Sequence, residues 1–280
     1  MSAPLAEPGY GTIGEFRPSS ISEAALNAAG RLWFVTAVIG QWIFAGYVVA
    51  FYGGAAARGD LAAWNQVLAY GYIPGDTMGN TALAIHLLFA VIIIVGGPLQ
   101  LVPQIRARAP AFHRWNGRTY MATVFVASIA GLYMLWFRGA VGDLVQHVGM
   151  SLDAALIMVF AVVALRYALA REIRTHRRWA LRLFMVVNGV WFFRVGLMLW
   201  LMVNQGPAGF DPETFTGPTL SVLAFAEYLL PLAILELYLR AKDARWPAGR
   251  LIAAAGVFVA TIAMGGGIFA ATVGLWLPHI

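Results

Sequence analysis

The chain has 280 residues, 60% of them hydrophobic and 11% charged, where a soluble protein carries roughly 25% charged residues. That balance excludes an ordinary water-soluble globule, and the absence of cysteine excludes disulfides, thiolate metal sites and cysteine nucleophiles. The net charge of +6 sits in short segments between apolar runs, so it reads as membrane topology and not as nucleic-acid binding.

Residues 1–29 show no basic n-region followed by an apolar stretch, so no cleavable signal peptide is expected there. They read as a short cytoplasmic N-terminal tail. Residues 30–280 read as a single all-α, polytopic membrane domain with spans at 31–53, 80–103, 115–137, 146–170, 179–203, 219–240 and 249–275. Each of the seven is long enough to cross about 30 Å of hydrocarbon at about 1.5 Å per residue. The breaks fall at Gly53-Gly54, Pro103, Pro110, Gly139, Gly206-Pro207, Pro218 and Pro247.

Loops 104–114, 171–178 and 240–250 hold most of the Arg and Lys, and all three fall on one side. The positive-inside rule places them and the N-terminus in the cytoplasm and the C-terminus outside. Loop 54–79, with Trp64, Tyr70, Tyr72 and Pro74, is expected along the outer interface. Gly96-Gly97-Pro98 is expected to bend the second span, and the small residues of the last span to admit a close helix neighbour, within the chain or in a homo-oligomer.

Two basic hinges repeat a pattern. Gln104–Arg118 reads QIRARAPAFHRWNGR and Arg171–Arg182 reads REIRTHRRWALR. Each carries His, Arg, Trp, and then Arg three residues after the Trp: His113, Arg114, Trp115, Arg118 and His176, Arg178, Trp179, Arg182. A further histidine, His86 or His147, precedes each hinge by 27 or 29 residues. By helix rise, His86 and His147 form an outer pair on spans two and four, and His113 and His176 an inner pair on spans three and five, roughly 20–25 Å apart. Two histidines at one depth can supply both axial ligands of a b-type haem. The competing reading is an interfacial anchor, with Trp at headgroup depth and Arg on lipid phosphates.

A second polar layer lies within the spans. Asp153, Arg194 and Glu227 come out at a depth similar to His86, and Asn188 lies one to two turns further in. Arg194 pairing with Asp153 or Glu227 to hold register is the structural reading. A hydrolytic metal site using His86, His147, Asp153 and Glu227 is a third reading, and no HExxH spacing supports it. Walker, GxSxG and dinucleotide motifs are absent.

Over residues 80–203, this placement of histidines on a four-helix core resembles the transmembrane di-haem cytochrome b family, which carries electrons from ascorbate-like donors. The resemblance implies two haems b per chain, ligated by His86 with His147 and by His113 with His176. Arg118, Arg182 and Arg194 would serve as propionate or substrate partners, and Asp153 and Glu227 as acceptors of protons from a quinol or other small reductant. In local sequence, His86…GGPLQ…Arg106…His113-Arg-Trp-x-Gly-Arg118 and the later His176-Arg-Arg-Trp are similar to an uncharacterised bacterial family of multi-span membrane proteins, a resemblance that implies an inner (cytoplasmic) membrane of bacterial type. The alternative function is non-redox: a transporter, or an accessory subunit of a larger membrane complex, in contact with the lipid bilayer.

Overall fold

The computed structural model describes residues 20–280 and is all-α, with one isolated β-bridge between Asp211 and Thr216 among the described residues. Among the described residues, six helices are long and apolar enough to cross a membrane: Ile21–Ala57, Thr77–Leu101, Pro110–Gly139, Leu144–Leu169, Pro218–Asp243 and Pro247–His279. A seventh candidate is broken. Ile173–Val187 and Gly189–Asn204 meet at a bend of 52°, and counted as one they make the fifth span. The protein is a polytopic helical membrane bundle.

Several boundaries differ from the sequence reading. The first helix starts at Ile21, ten residues earlier than the apolar run, because the Ser20 side chain caps it by accepting from the Glu23 amide. Most of the expected tail, residues 1–19, lies outside the described residues. The two hinges are largely helical. Pro103 opens the short helix Pro103–Arg108, and Pro110 opens the third span. Proline is suited to a first helical turn, where its missing N–H would have had no partner. His113 and His176 therefore sit in the first turn of their helices.

The expected interfacial loop 54–79 folds back onto the bundle instead. Trp64 is buried and its indole N–H donates to the Tyr52 carbonyl at 3.1 Å. Asn65 exchanges two hydrogen bonds with Tyr72, and Asn80 exchanges two with Ile73. Arg138, at the end of the third span, closes the loop by binding Asp76, Asn80 and the Gly71 carbonyl. Amphipathic aromatics on a loop predict an interface, but here the buried indole has a backbone acceptor within reach.

The fifth span is central. Its first half packs on spans four and six, and its second half on spans six and seven. Span one packs on spans two and seven, and spans two, three and four follow in sequence. The small residues of the last span serve contacts inside the chain. A Cβ on Gly267 would lie 2.4 Å from the Val195 carbonyl, and Gly40 of the first span lies against Ile268 and Trp191. The second span runs unbroken through Pro98, and Gly96 and Gly97 admit Asn116 and Tyr120 of the third span.

At the end opposite the arginine-rich hinges, Asp143 caps the fourth span by accepting from the Gln146 amide at 2.9 Å and accepts from the Ser221 hydroxyl on span six. These bonds, the Gln146 amide first, hold its carboxyl below the usual carboxylate range. The sign follows: the contribution is present above the unfolded value and is lost as pH falls through the lowered folded value. Asp143→Ala is expected to cost about 1 kcal/mol, the usual worth of an N-cap. Thermal unfolding in detergent should show a lower midpoint for the variant at neutral pH, with the gap to wild type closing in acid.

Candidate functional site

The fifth span breaks at Asn188-Gly189, deep in the bundle. Asn188 ends the first half-helix, with its side-chain amide donating to the Phe184 carbonyl and its oxygen left without a hydrogen-bond partner. Gly189 opens the second half-helix. A side chain at Gly189 would have no room: its Cβ would lie 2.5 Å from Asp153 Oδ2 and 3.6 Å from Glu227 Oε1. Two acids, from spans four and six, thus converge on one glycine of span five.

Both acids are withdrawn from solvent, Asp153 at 5% exposure and Glu227 at 4%. Asp153 Oδ1 has no hydrogen-bond partner. Among the described residues, the ion pairs are Arg138–Asp76, Arg174–Asp243, Arg178–Asp243 and Arg182–Glu236, so neither buried acid has a cation within 4 Å. An isolated ionised carboxylate in an apolar interior costs far more than taking up a proton.

Arg194 stands close to this pair without pairing with it. Its guanidinium lies 5.4 Å from the centre of the Phe44 ring and donates to the Val190 carbonyl at 3.2 Å. Its charge acts on Glu227, on His86, and on Tyr47 and Tyr52 of the first span. The layer read from the sequence as Asp153, Arg194, Glu227 and His86 is therefore assembled in space, and the direct ion pair is absent among the described residues. Sequence reasoning missed the tyrosines, Gly189 and the break. An Asn-Gly pair inside an apolar run was the available signal, since that dipeptide marks a turn.

The histidines take separate positions. His86 Nδ1 lies 3.0 Å from the Ala127 carbonyl, beside Gly131 of span three. His147 stacks edge-on against Trp136 of the same span and reaches the Val141 carbonyl at 3.4 Å. Span three packs on both span two and span four, so it stands between these two rings. The other pair is closer: His113 and His176 lie near enough for their charges to interact. His176 Nδ1 is 2.9 Å from the Ala164 carbonyl, and His113 Nδ1 is buried without a partner. The donor set for a bis-histidine group is thus better furnished between His113 and His176 than between His86 and His147. Among the described residues, no three His, Asp or Glu side chains form a metal-ion cluster.

The repeated Trp-x-x-Arg gives the same local contact twice. Arg118 lies over Trp115 at 5.2 Å and Arg182 over Trp179 at 4.8 Å. Their further partners differ. Arg118 is exposed, whereas Arg182 forks onto Glu236 of span six at 2.6 and 3.0 Å. Arg178 likewise holds Asp243, so the second hinge ties span five to span six at the arginine-rich end.

Searches among curated proteins and solved structures return no match. A family model described as "Predicted membrane protein (DUF2306)" matches residues 83–230, a region that holds the second to fifth spans, Asp153, Glu227 and both hinges. That is more than half of the chain, and the protein belongs to this family of membrane proteins.

Proposed function

We propose that this protein is a proton-linked membrane protein of transporter type, with Asp153 and Glu227 as the acids that exchange the proton. The observation that carries this reading is their convergence on Gly189, at a break in a central span, with no cation within 4 Å among the described residues. Broken helices with ionisable groups at the break are how membrane transporters build coupling sites at depth. Glu227 lines a cavity that also reaches Gln104 and Lys242 near the arginine-rich end, and so faces one access route. Beyond it, Arg194, Tyr47, Tyr52 and His86 continue a polar layer between spans one, two and five. A proton taken up by Glu227 converts carboxylate to carboxylic acid, and transfer to Asp153 across Gly189 moves it towards the fourth span. Arg194, held off both acids, favours the state in which one of them is ionised.

Infrared pH-difference spectroscopy on the reconstituted protein tests this directly. A carboxylic-acid carbonyl band present at neutral pH is expected, and it should weaken or shift in Asp153→Asn and in Glu227→Gln and disappear in the double variant. Voltage-driven proton uptake into proteoliposomes should fall to the level of empty vesicles in both variants. A wild-type protein with no such band at neutral pH would overturn the reading.

Electron transfer through b-type haem is the second reading, favoured by the proximity of His113 and His176 and by the anchoring of His86 and His176 on carbonyls. An imidazole whose Nδ1 is fixed on a carbonyl leaves Nε2 for a metal. His113 with His176 would hold one such group, which would supply one-electron chemistry, whereas His86 and His147, with span three between them, do not fit a second shared group. Arg118, Arg182 and Arg194 would meet propionates, and Asp153 and Glu227 would take protons from a quinol. An optical spectrum before and after dithionite decides it. A sharp reduced α-band that weakens in His113→Ala supports this reading, and colourless protein from haem-supplied cells removes it.

A further inference from the structure

A cavity of about 1040 Å³ lies between spans one, five, six and seven. It stands at the top of the range of roughly 300–1,000 Å³ typical of small-molecule sites. Its walls are mostly apolar, with Trp33, Phe192 and Met264 among them. Polarity is concentrated at two levels. Arg31, Gln104 and Lys242 stand towards the arginine-rich end, and Glu227 stands deep in the bundle. Arg31 and Lys242 are exposed, and neither has a carboxylate within 4 Å among the described residues. From Lys242 to Glu227 the sixth span rises on the order of 22 Å at about 1.5 Å per residue.

We propose that this cavity holds a long-chain anionic amphiphile of fatty-acid type, with its head on Arg31 and Lys242 and its chain running towards Glu227. Charge complementarity selects the head, because two cations, neither with a carboxylate within 4 Å among the described residues, line the same apolar cavity. The same polarity sets the direction. An anionic head carried to the deep end would lose water and meet the carboxyl of Glu227, whereas a methyl-terminated chain loses nothing by being there. Burying a chain also releases its apolar surface from water at about 25 cal/mol per Å², which favours a long chain over a short one. The inference names the ligand class of the cavity. It rests on the preceding reading only in taking Glu227 as an acid at the deep end.

The test uses the full chain in nanodiscs of zwitterionic lipid, with stearate brominated at mid-chain as the quencher of tryptophan fluorescence. Saturable quenching is expected, and Trp33→Phe should remove much of it. The double variant Arg31→Gln with Lys242→Gln should bind about tenfold more weakly or worse, as expected for loss of charge-assisted contacts. The correspondingly brominated stearyl alcohol should bind more weakly by a similar factor. Ala260→Phe, which fills the cavity wall, should abolish the saturable phase while unfolding with a midpoint near that of wild type. Quenching that rises without saturation, or that is the same for acid and alcohol, means partition into lipid and overturns the proposal. Undiminished binding in the double variant also overturns it. The infrared band of the acids is a separate readout: its absence with saturable stearate binding would sink the proton reading alone, and the reverse result would sink this one alone.

Discussion

The arrangement depends on two carboxyl groups held in the interior with no cation within 4 Å among the described residues. Asp153 and Glu227 come from different helices and are brought together by the backbone of a third, at the one residue type that leaves room. A side chain at Gly189 would force Asp153 aside, since its Cβ would lie 2.5 Å from Asp153 Oδ2. The bend, the glycine and the central position of span five are three aspects of one constraint. Breaking a helix in hydrocarbon leaves backbone groups that must be satisfied within the protein, which is why the break is buried among spans four, six and seven.

Ion pairs tie the helices together at both ends of the bundle. At the arginine-rich end, Arg178 and Arg182 are matched by Asp243 and Glu236, and at the opposite end Arg138 is matched by Asp76 and Asn80. Around the break, Gln41, Asp153, Asn188 and Trp191 each have a buried polar atom without a hydrogen-bond partner among the described residues, as do Gln146, His113 and Arg250 nearer the ends. A buried polar group left unsatisfied costs roughly 1–3 kcal/mol. Protons, ordered water or a polar ligand group would satisfy those around the break.

Much of the fold was legible, because long apolar runs separated by proline, glycine and arginine leave few alternatives in a membrane. The depth of Asp153, Arg194 and Glu227 was legible too, since helix rise converts position into height. What helix rise does not supply is azimuth. Arg194 was placed at the correct level for an ion pair, yet its side chain turns to Phe44 and the Val190 carbonyl. His86 and His147 were matched in height, and the third span stands between them. The break at Asn188-Gly189 was hidden for a different reason. The apolar run continues across it, so hydropathy reports one span where the backbone makes two. Tyr47 and Tyr52 escaped notice because a tyrosine in an apolar run reads as packing until an arginine is found beside it.

The twofold repeat of the hinges was read as one functional pattern used twice, and the structure separates what is shared from what is not. The shared part is local: a helix start, a tryptophan, and an arginine one turn on that lies over its ring. Such a contact needs only helical spacing, so it survives wherever the two residues recur. The unshared part is tertiary. The second hinge meets carboxylates on span six, and in the first Arg118 is exposed and Trp115 is 66% exposed. The second hinge, tied to span six by Arg178 and Arg182, leads into the helix that ends at Asn188, whereas the first leaves Trp115 and Arg118 exposed at the same end. The repeat thus fixes one local contact in both hinges, and their tertiary partners tell them apart.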